Sequence, residues 1–127
     1  MQPTKVLIVD DETEFASTVA ERLTLRGYEA NAVFSAGEAL PLIRASAPDV
    51  VLLDLMMPGI NGLETLRAIK ETAPAIEVII LTGYGGIQGK LEGMESGAFD
   101  YVMKPVDIGV LMNKIDKARS RRHGGHE

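Results

Sequence analysis

Val6-Leu7-Ile8-Val9-Asp10-Asp11 sets four apolar residues directly against two carboxylates. A run this short and uniformly apolar has no polar face, so it reads as a strand buried on both sides of a sheet. Two further runs have the same character, Val50 to Leu53 with Leu55, and Val78 to Leu81. Between them the spacing changes to that of helices. Phe15, Val19 and Leu23 recur every four residues and share one helix face that Gly27 ends. Ser35-Ala36-Gly37-Glu38 is a capping-box pattern that opens a helix carrying Ala39, Leu40 and Ile43, with Glu38 expected to reach back to Ser35. Asn61-Gly62-Leu63-Glu64 repeats the start signal before Leu66 and Ile69, and Pro74 marks the exit. Asp107 can cap a last helix through Leu111 and Ile115, with Lys114, Lys117 and Arg119 toward its C-terminal end, where the helix dipole favours cations.

Tyr28 to Phe34 and Phe99 to Met103 mix polar residues into apolar ones and read as edge or near-edge strands. Strands and helices thus alternate, which implies a parallel sheet covered by helices on both faces, each crossover right-handed. One helix is poorly specified. After Thr82 come Gly83, Gly85, Gly86, Gly89, Gly93 and Gly97, so a helix near residues 86–96 has Gly89 and Gly93 inside it. Each interior glycine costs about 1 kcal/mol against alanine. Ile87, Leu91 and Met94 are the apolar stripe expected to hold that helix to the sheet.

The 127 residues suit one domain, and 46% hydrophobic composition supplies a real core, which excludes disorder. Residues 1–120 are the expected domain, and residues 121–127 read as a disordered tail, the start of a linker or an added remnant. A net charge of -5 argues against a general binder of nucleic-acid phosphates. The absence of cysteine removes disulfides and thiolate metal sites and fits a reducing compartment, so the cytoplasm is the expected location. No apolar run approaches the roughly 20 residues of a membrane-spanning helix, and residues 1–4 lack the blocks of a signal peptide.

In doubly wound sheets ligands bind beyond the carboxyl ends of the strands. The residues standing there are Asp10 and Asp11, then Asp54, Thr82, and Lys104 next to Pro105. Taken singly, an aspartate after a strand is often a helix cap and a lysine a solvated charge. Three carboxylates, a hydroxyl and an ammonium at matching strand ends are a constellation, and one acidic enough to need a cation. Oxygen ligands without cysteine or a nearby histidine select a hard ion, and few carboxylates with room for water and phosphate oxygens suit Mg2+.

These pieces resemble the receiver domains of two-component response regulators. The matching stretches are Asp10-Asp11-Glu12, Asp54-Leu55-Met56-Met57-Pro58-Gly59, Thr82-Gly83, and Gly97-Ala98-Phe99-Asp100-Tyr101-Val102-Met103-Lys104-Pro105, in order from Lys5 to about Arg119. The resemblance implies a flavodoxin-like doubly wound five-stranded parallel sheet of order 2-1-3-4-5 with five helices. It implies Asp54 as phosphoacceptor, taking a phosphoryl group from a phosphohistidine of a sensor histidine kinase or a histidine phosphotransfer protein. Asp10, Asp11, Asp54 and the Met56 carbonyl are the implied Mg2+ ligands, and Lys104, Thr82 and Gly83 the groups around the phosphoryl oxygens. Thr82 and Tyr101 are the implied switch, acting on the fourth helix, fifth strand and fifth helix to control an output domain, a partner or a phosphorylation-dependent homodimer. Met56 and Tyr84, two positions beyond Asp54 and Thr82, would shield the acyl phosphate from water. A stand-alone phosphorelay shuttle is an alternative within the family. Haloacid dehalogenase phosphatases share the chemistry, but their second aspartate stands two positions after the nucleophile, where this chain has Met56.

Overall fold

The computed structural model describes residues 2–56, 62–83 and 87–124. The elements alternate throughout: β1 (Lys5–Val9), α1 (Thr13–Leu25), β2 (Glu29–Val33), α2 (Ala36–Ala45), β3 (Val50–Asp54), α3 (Gly62–Thr72), β4 (Glu77–Thr82), α4 (Ile87–Glu95), β5 (Asp100–Met103) and α5 (Ile108–Gly124). All pairings are parallel, in the order β2-β1-β3-β4-β5. The expected doubly wound sheet of five strands and five helices is therefore the fold.

Strand alternation divides the apolar residues between two layers. Leu7, Val9, Val51, Leu53, Val78 and Ile80 point to the side of α2 and α3, where they meet Ala39, Ile43, Leu66 and Ile69. Val6, Ile8, Val50, Leu52, Ile79 and Leu81 point the other way onto Ala16, Val19 and Leu23 of α1 and Leu111 and Ile115 of α5. Every residue of β3 and β4 is buried, which explains why those runs show no alternation of polarity. Truncating such a leucine or isoleucine to alanine costs about 2–5 kcal/mol, so the central strands are fixed rigidly, and with them the residues at their ends.

The helix starts largely follow the sequence. Ser35 Oγ accepts from the Glu38 N–H at 3.2 Å, but the Glu38 carboxylate accepts from the Phe34 N–H at 2.8 Å rather than from Ser35. The long glutamate arm reaches one residue past the expected donor. Asp107 caps α5 through the Val110 N–H at 3.1 Å.

Helix α5 continues to Gly124, into the segment read as a tail or the start of a linker. Arginine is a good helix former, and Arg121 is further held by Glu77, at 3.4 Å from Nε to Oε2. One expectation needs correction: of the apolar stripe assigned to α4, Leu91 is 52% exposed and Met94 38%, so these two do not hold it down. The close inward contact is made at a glycine. Gly93 is buried, and a Cβ there would meet Ile80 Cδ1 at 2.1 Å and Leu55 Cδ1 at 3.3 Å. At Gly93 the missing side chain lets α4 lie against Ile80 of β4. Ile87 belongs to α4, but its side chain lies outside the described residues.

Candidate functional site

Asp10 follows β1, Asp54 ends β3, Thr82 ends β4 and Lys104 follows β5, so four separate strands deliver these residues to one edge of the sheet. Register sets their level. Asp54 pairs with Leu81, one residue before Thr82, and Thr82 pairs with Met103, one residue before Lys104. The Lys104 N–H then donates to the Thr82 carbonyl at 2.8 Å, and the Lys104-Pro105 bond is cis.

The two buried aspartates are held in the same way. Asp10 Oδ1 accepts from the Glu12 N–H at 2.9 Å, and Asp54 Oδ1 accepts from the Met56 N–H at 2.9 Å. Each is an aspartate bonded to the backbone two residues on, a local turn that aspartate favours. The turn occupies one oxygen of each carboxylate and presents the other. Both presented oxygens face Lys104, whose Nζ lies 2.7 Å from Asp10 Oδ2 and 3.5 Å from Asp54 Oδ2.

Burial acts on the charges of Asp10 and Lys104. It raises the Asp10 carboxyl above its ordinary value, and the Asp54 charge pushes the same way, against the opposing pull of Lys104 and of the Glu12 N–H. At Lys104 burial disfavours the ammonium, but the bonds to Asp10 and Glu12 and the charges of Asp54 and Asp10 outweigh it and hold its pKa above the usual lysine range. The ammonium is the counter-ion of an acidic pocket.

A carboxylate outside the expected set stands beside the buried aspartates. Oxygens of Asp10, Glu12 and Asp54 lie within 4.8 Å of one another, close enough to share a cation. Asp11 is exposed and does not belong to that group; the third carboxylate is Glu12, which sequence reasoning passed over. A signal was there: Glu12 stands at the N-cap of α1, where glutamate is a poor cap, and it makes no side-chain cap bond. The donor set fits a hard divalent ion. All its ligands are oxygens, and buried Asp10 Oδ2 is met by the Lys104 ammonium.

The remaining expected residues are placed as follows. Thr82 is buried, and its hydroxyl donates to the Gly83 carbonyl at 3.2 Å. The Met56 side chain is exposed. Tyr101 is half-buried beside the α3-side core, with Lys90 Nζ 4.2 Å and Lys114 Nζ 4.9 Å from its ring centre. Tyr84 and the stretch Met57-Pro58-Gly59-Ile60-Asn61 lie outside the described residues.

Two buried aspartates, a threonine and a lysine thus meet at the carboxyl edge of a parallel sheet, around one ammonium. The chain belongs to the response regulator receiver domain family, whose model matches residues 6–116. It is 32% identical over 113 residues to the response regulator MprA of Mycolicibacterium vanbaalenii, covering 89% of this chain and 49% of that protein. It is 34% identical over 118 residues to the transcriptional regulatory protein ZraR of Escherichia coli K12, covering 93% of this chain and 27% of that protein. The chain thus spans about half, or about a quarter, of the length of these curated relatives. Among solved structures, the receiver domain of NtrX from Brucella abortus matches at 32% identity with a TM-score of 0.86, covering 91% of this chain and 98% of that one. A CheY-like receiver domain protein from Methanospirillum hungatei matches at 29% identity with a TM-score of 0.91, covering 98% and 99%. Among the described residues, no helix is long and apolar enough to cross a membrane.

Proposed function

We propose that this domain takes a phosphoryl group from a phosphohistidine onto Asp54 and holds it as a timed signal. The observation that carries the reading is Lys104, whose ammonium stands in contact with both Asp10 and Asp54 at the edge where four strands end. Asp54 Oδ2, the oxygen not engaged by the Met56 N–H, attacks phosphorus. The new O–P bond forms as the P–N bond breaks, and the histidine nitrogen leaves with the bonding pair. Charge in this loose transition state spreads over the equatorial oxygens, so fixed cations and donors around them are what the reaction requires.

Lys104 supplies one such cation to a phosphoryl oxygen. The Thr82 hydroxyl supplies a donor once it turns from the Gly83 carbonyl, and the Gly83 N–H supplies another. Asp10, Asp11, Asp54 and the Met56 carbonyl would hold Mg2+, with Glu12 beside them. When bound, that ion neutralises charge on the phosphoryl oxygens. Hydrolysis reverses the state: water attacks phosphorus, the O–P bond breaks, and Asp54 returns as a carboxylate with release of inorganic phosphate.

The donor is a sensor histidine kinase or a histidine phosphotransfer protein, met in the cytoplasm. The signal leaves through Thr82 and Tyr101, which repack the face of α4, β5 and α5 toward an output domain, a partner or a second copy. The greater length of the relatives supports an output domain in the whole protein. Direct contact with nucleic acid or membrane has no part in this reading. Incubation with Mg2+ and acetyl phosphate, followed by intact mass, tests it: one added phosphoryl group is expected in the parent and none in Asp54→Asn.

A further inference from the structure

The phosphoryl chemistry above gives the Glu12 side chain no task beyond its place beside the candidate cation site. Glu12 nevertheless has a partner. It stands at the N-cap of α1 without capping it, and its Oε1 instead meets Lys104 Nζ at 2.5 Å, across 92 positions of sequence. An ammonium has three donors. Three carboxylates surround this one, Asp10, Glu12 and Asp54. The Phe15 ring closes another side, with its centre 4.5 Å from Nζ. A phosphoryl group arriving at Asp54 Oδ2 therefore competes for the ammonium with Asp10 and Glu12.

Glu12 is the partner suited to let go. Its side chain is 62% exposed against 0% for Asp10 and 7% for Asp54, so water can replace it at small cost. We propose that Glu12 is a positioning residue that holds the Lys104 ammonium in its resting place and so slows phosphoryl uptake onto Asp54. The proposal rests on the phosphoacceptor reading given above. Glu12 acts through Lys104, touching neither the phosphorus nor the attacking oxygen.

The test compares the parent chain with Glu12→Gln and Glu12→Asp, each alone and in a Lys104→Ala background. Phosphorylation by acetyl phosphate at saturating Mg2+ is followed by intact mass. Exposed ion pairs are weak, so Glu12→Gln is expected to speed uptake by about 2- to 5-fold. Glu12→Asp, one methylene short of the ammonium, is expected to move the same way. The gain should vanish in Lys104→Ala, because the pair it breaks is already gone. A gain that persists without Lys104 would mean that Glu12 merely repels the anionic donor, and no gain at all would mean that it holds nothing back; either result overturns the proposal. Calorimetry with Mg2+ alone separates the two roles: a loss of less than about tenfold in Glu12→Gln is what a charge beside the cation site gives, and a loss of about tenfold or more would make Glu12 a metal ligand and overturn the proposal. The Lys104 ammonium signal in 15N NMR of the resting protein should shift in Glu12→Gln. That readout needs no phosphorylation, so an unshifted signal defeats the positioning role, whereas a parent that takes up no phosphoryl group defeats the phosphoacceptor reading and the uptake claim with it.

Discussion

Gly93 packs so tightly beneath Ile80 that a Cβ on it would come within 2.1 Å of Ile80 Cδ1. Replacing it with alanine forces that methyl aside. The expected net cost is about 1–3 kcal/mol, since overpacking outweighs the better helix propensity. Gly89 is different, because its Cβ would meet Leu55 Cδ1 at an ordinary 3.7 Å. There alanine should stabilise by roughly 0.5–1 kcal/mol. Urea unfolding of both variants, and of Gly93→Ala combined with Ile80→Val, checks this. The second substitution removes Cδ1 and should recover part of the loss.

A firmer constraint acts at Gly62, where a Cβ would stand 2.4 Å from Leu55 Cα. The obstacle is backbone, which cannot rotate away as the end of an isoleucine can. Gly62→Ala should therefore cost more stability than Gly93→Ala in the same urea series. It should also shift the backbone after Asp54, visible as changed amide signals at Leu55 and Met56.

Asp10 makes stability depend on pH with a definite sign. Burial raises its folded pKa above the unfolded value of 3.8. The folded protein thus takes up the proton before the unfolded chain does, and the charged side chain weakens folding above that window. Asp10→Asn removes the titration. The stability difference, variant minus parent, should be largest near neutral pH and shrink as pH falls through the raised folded pKa toward 3.8. Metal-free denaturant curves at several pH values measure it; a difference that grows toward acid would contradict the assigned burial.

Helix α4 is the segment with the weakest local support, with interior glycines at 89 and 93 and with Leu91 and Met94 exposed. Its backbone hydrogen bonds should open more readily than those of α1 or α3 in the resting protein. Addition of Mg2+ and beryllofluoride should give amides of residues 87–95 the largest gain in hydrogen-exchange protection.

The strands were legible because burial on both faces leaves the plain mark of an uninterrupted branched-apolar run, as in Val50 to Leu53 and Val78 to Leu81. Asp10, Asp54, Thr82 and Lys104 were legible because each stands immediately at or after a strand end. Glu12 was not, since its role depends on the reach of a flexible side chain toward a lysine brought up by another strand. The inward face of α4 was misread for a related reason. A search for apolar periodicity finds Leu91 and Met94, whereas the close contact is made where side chains are missing, at Gly93.

Reductive trapping at Asp54 tests the central claim most directly. The chain is phosphorylated with acetyl phosphate and Mg2+, treated with borohydride, which reduces an acyl phosphate to an alcohol and leaves a free carboxylate untouched, and then mapped by peptide mass spectrometry. The account predicts reduction at position 54 alone, dependent on Mg2+. Reduction at Asp10, Asp11 or Glu12 with position 54 unchanged would contradict it.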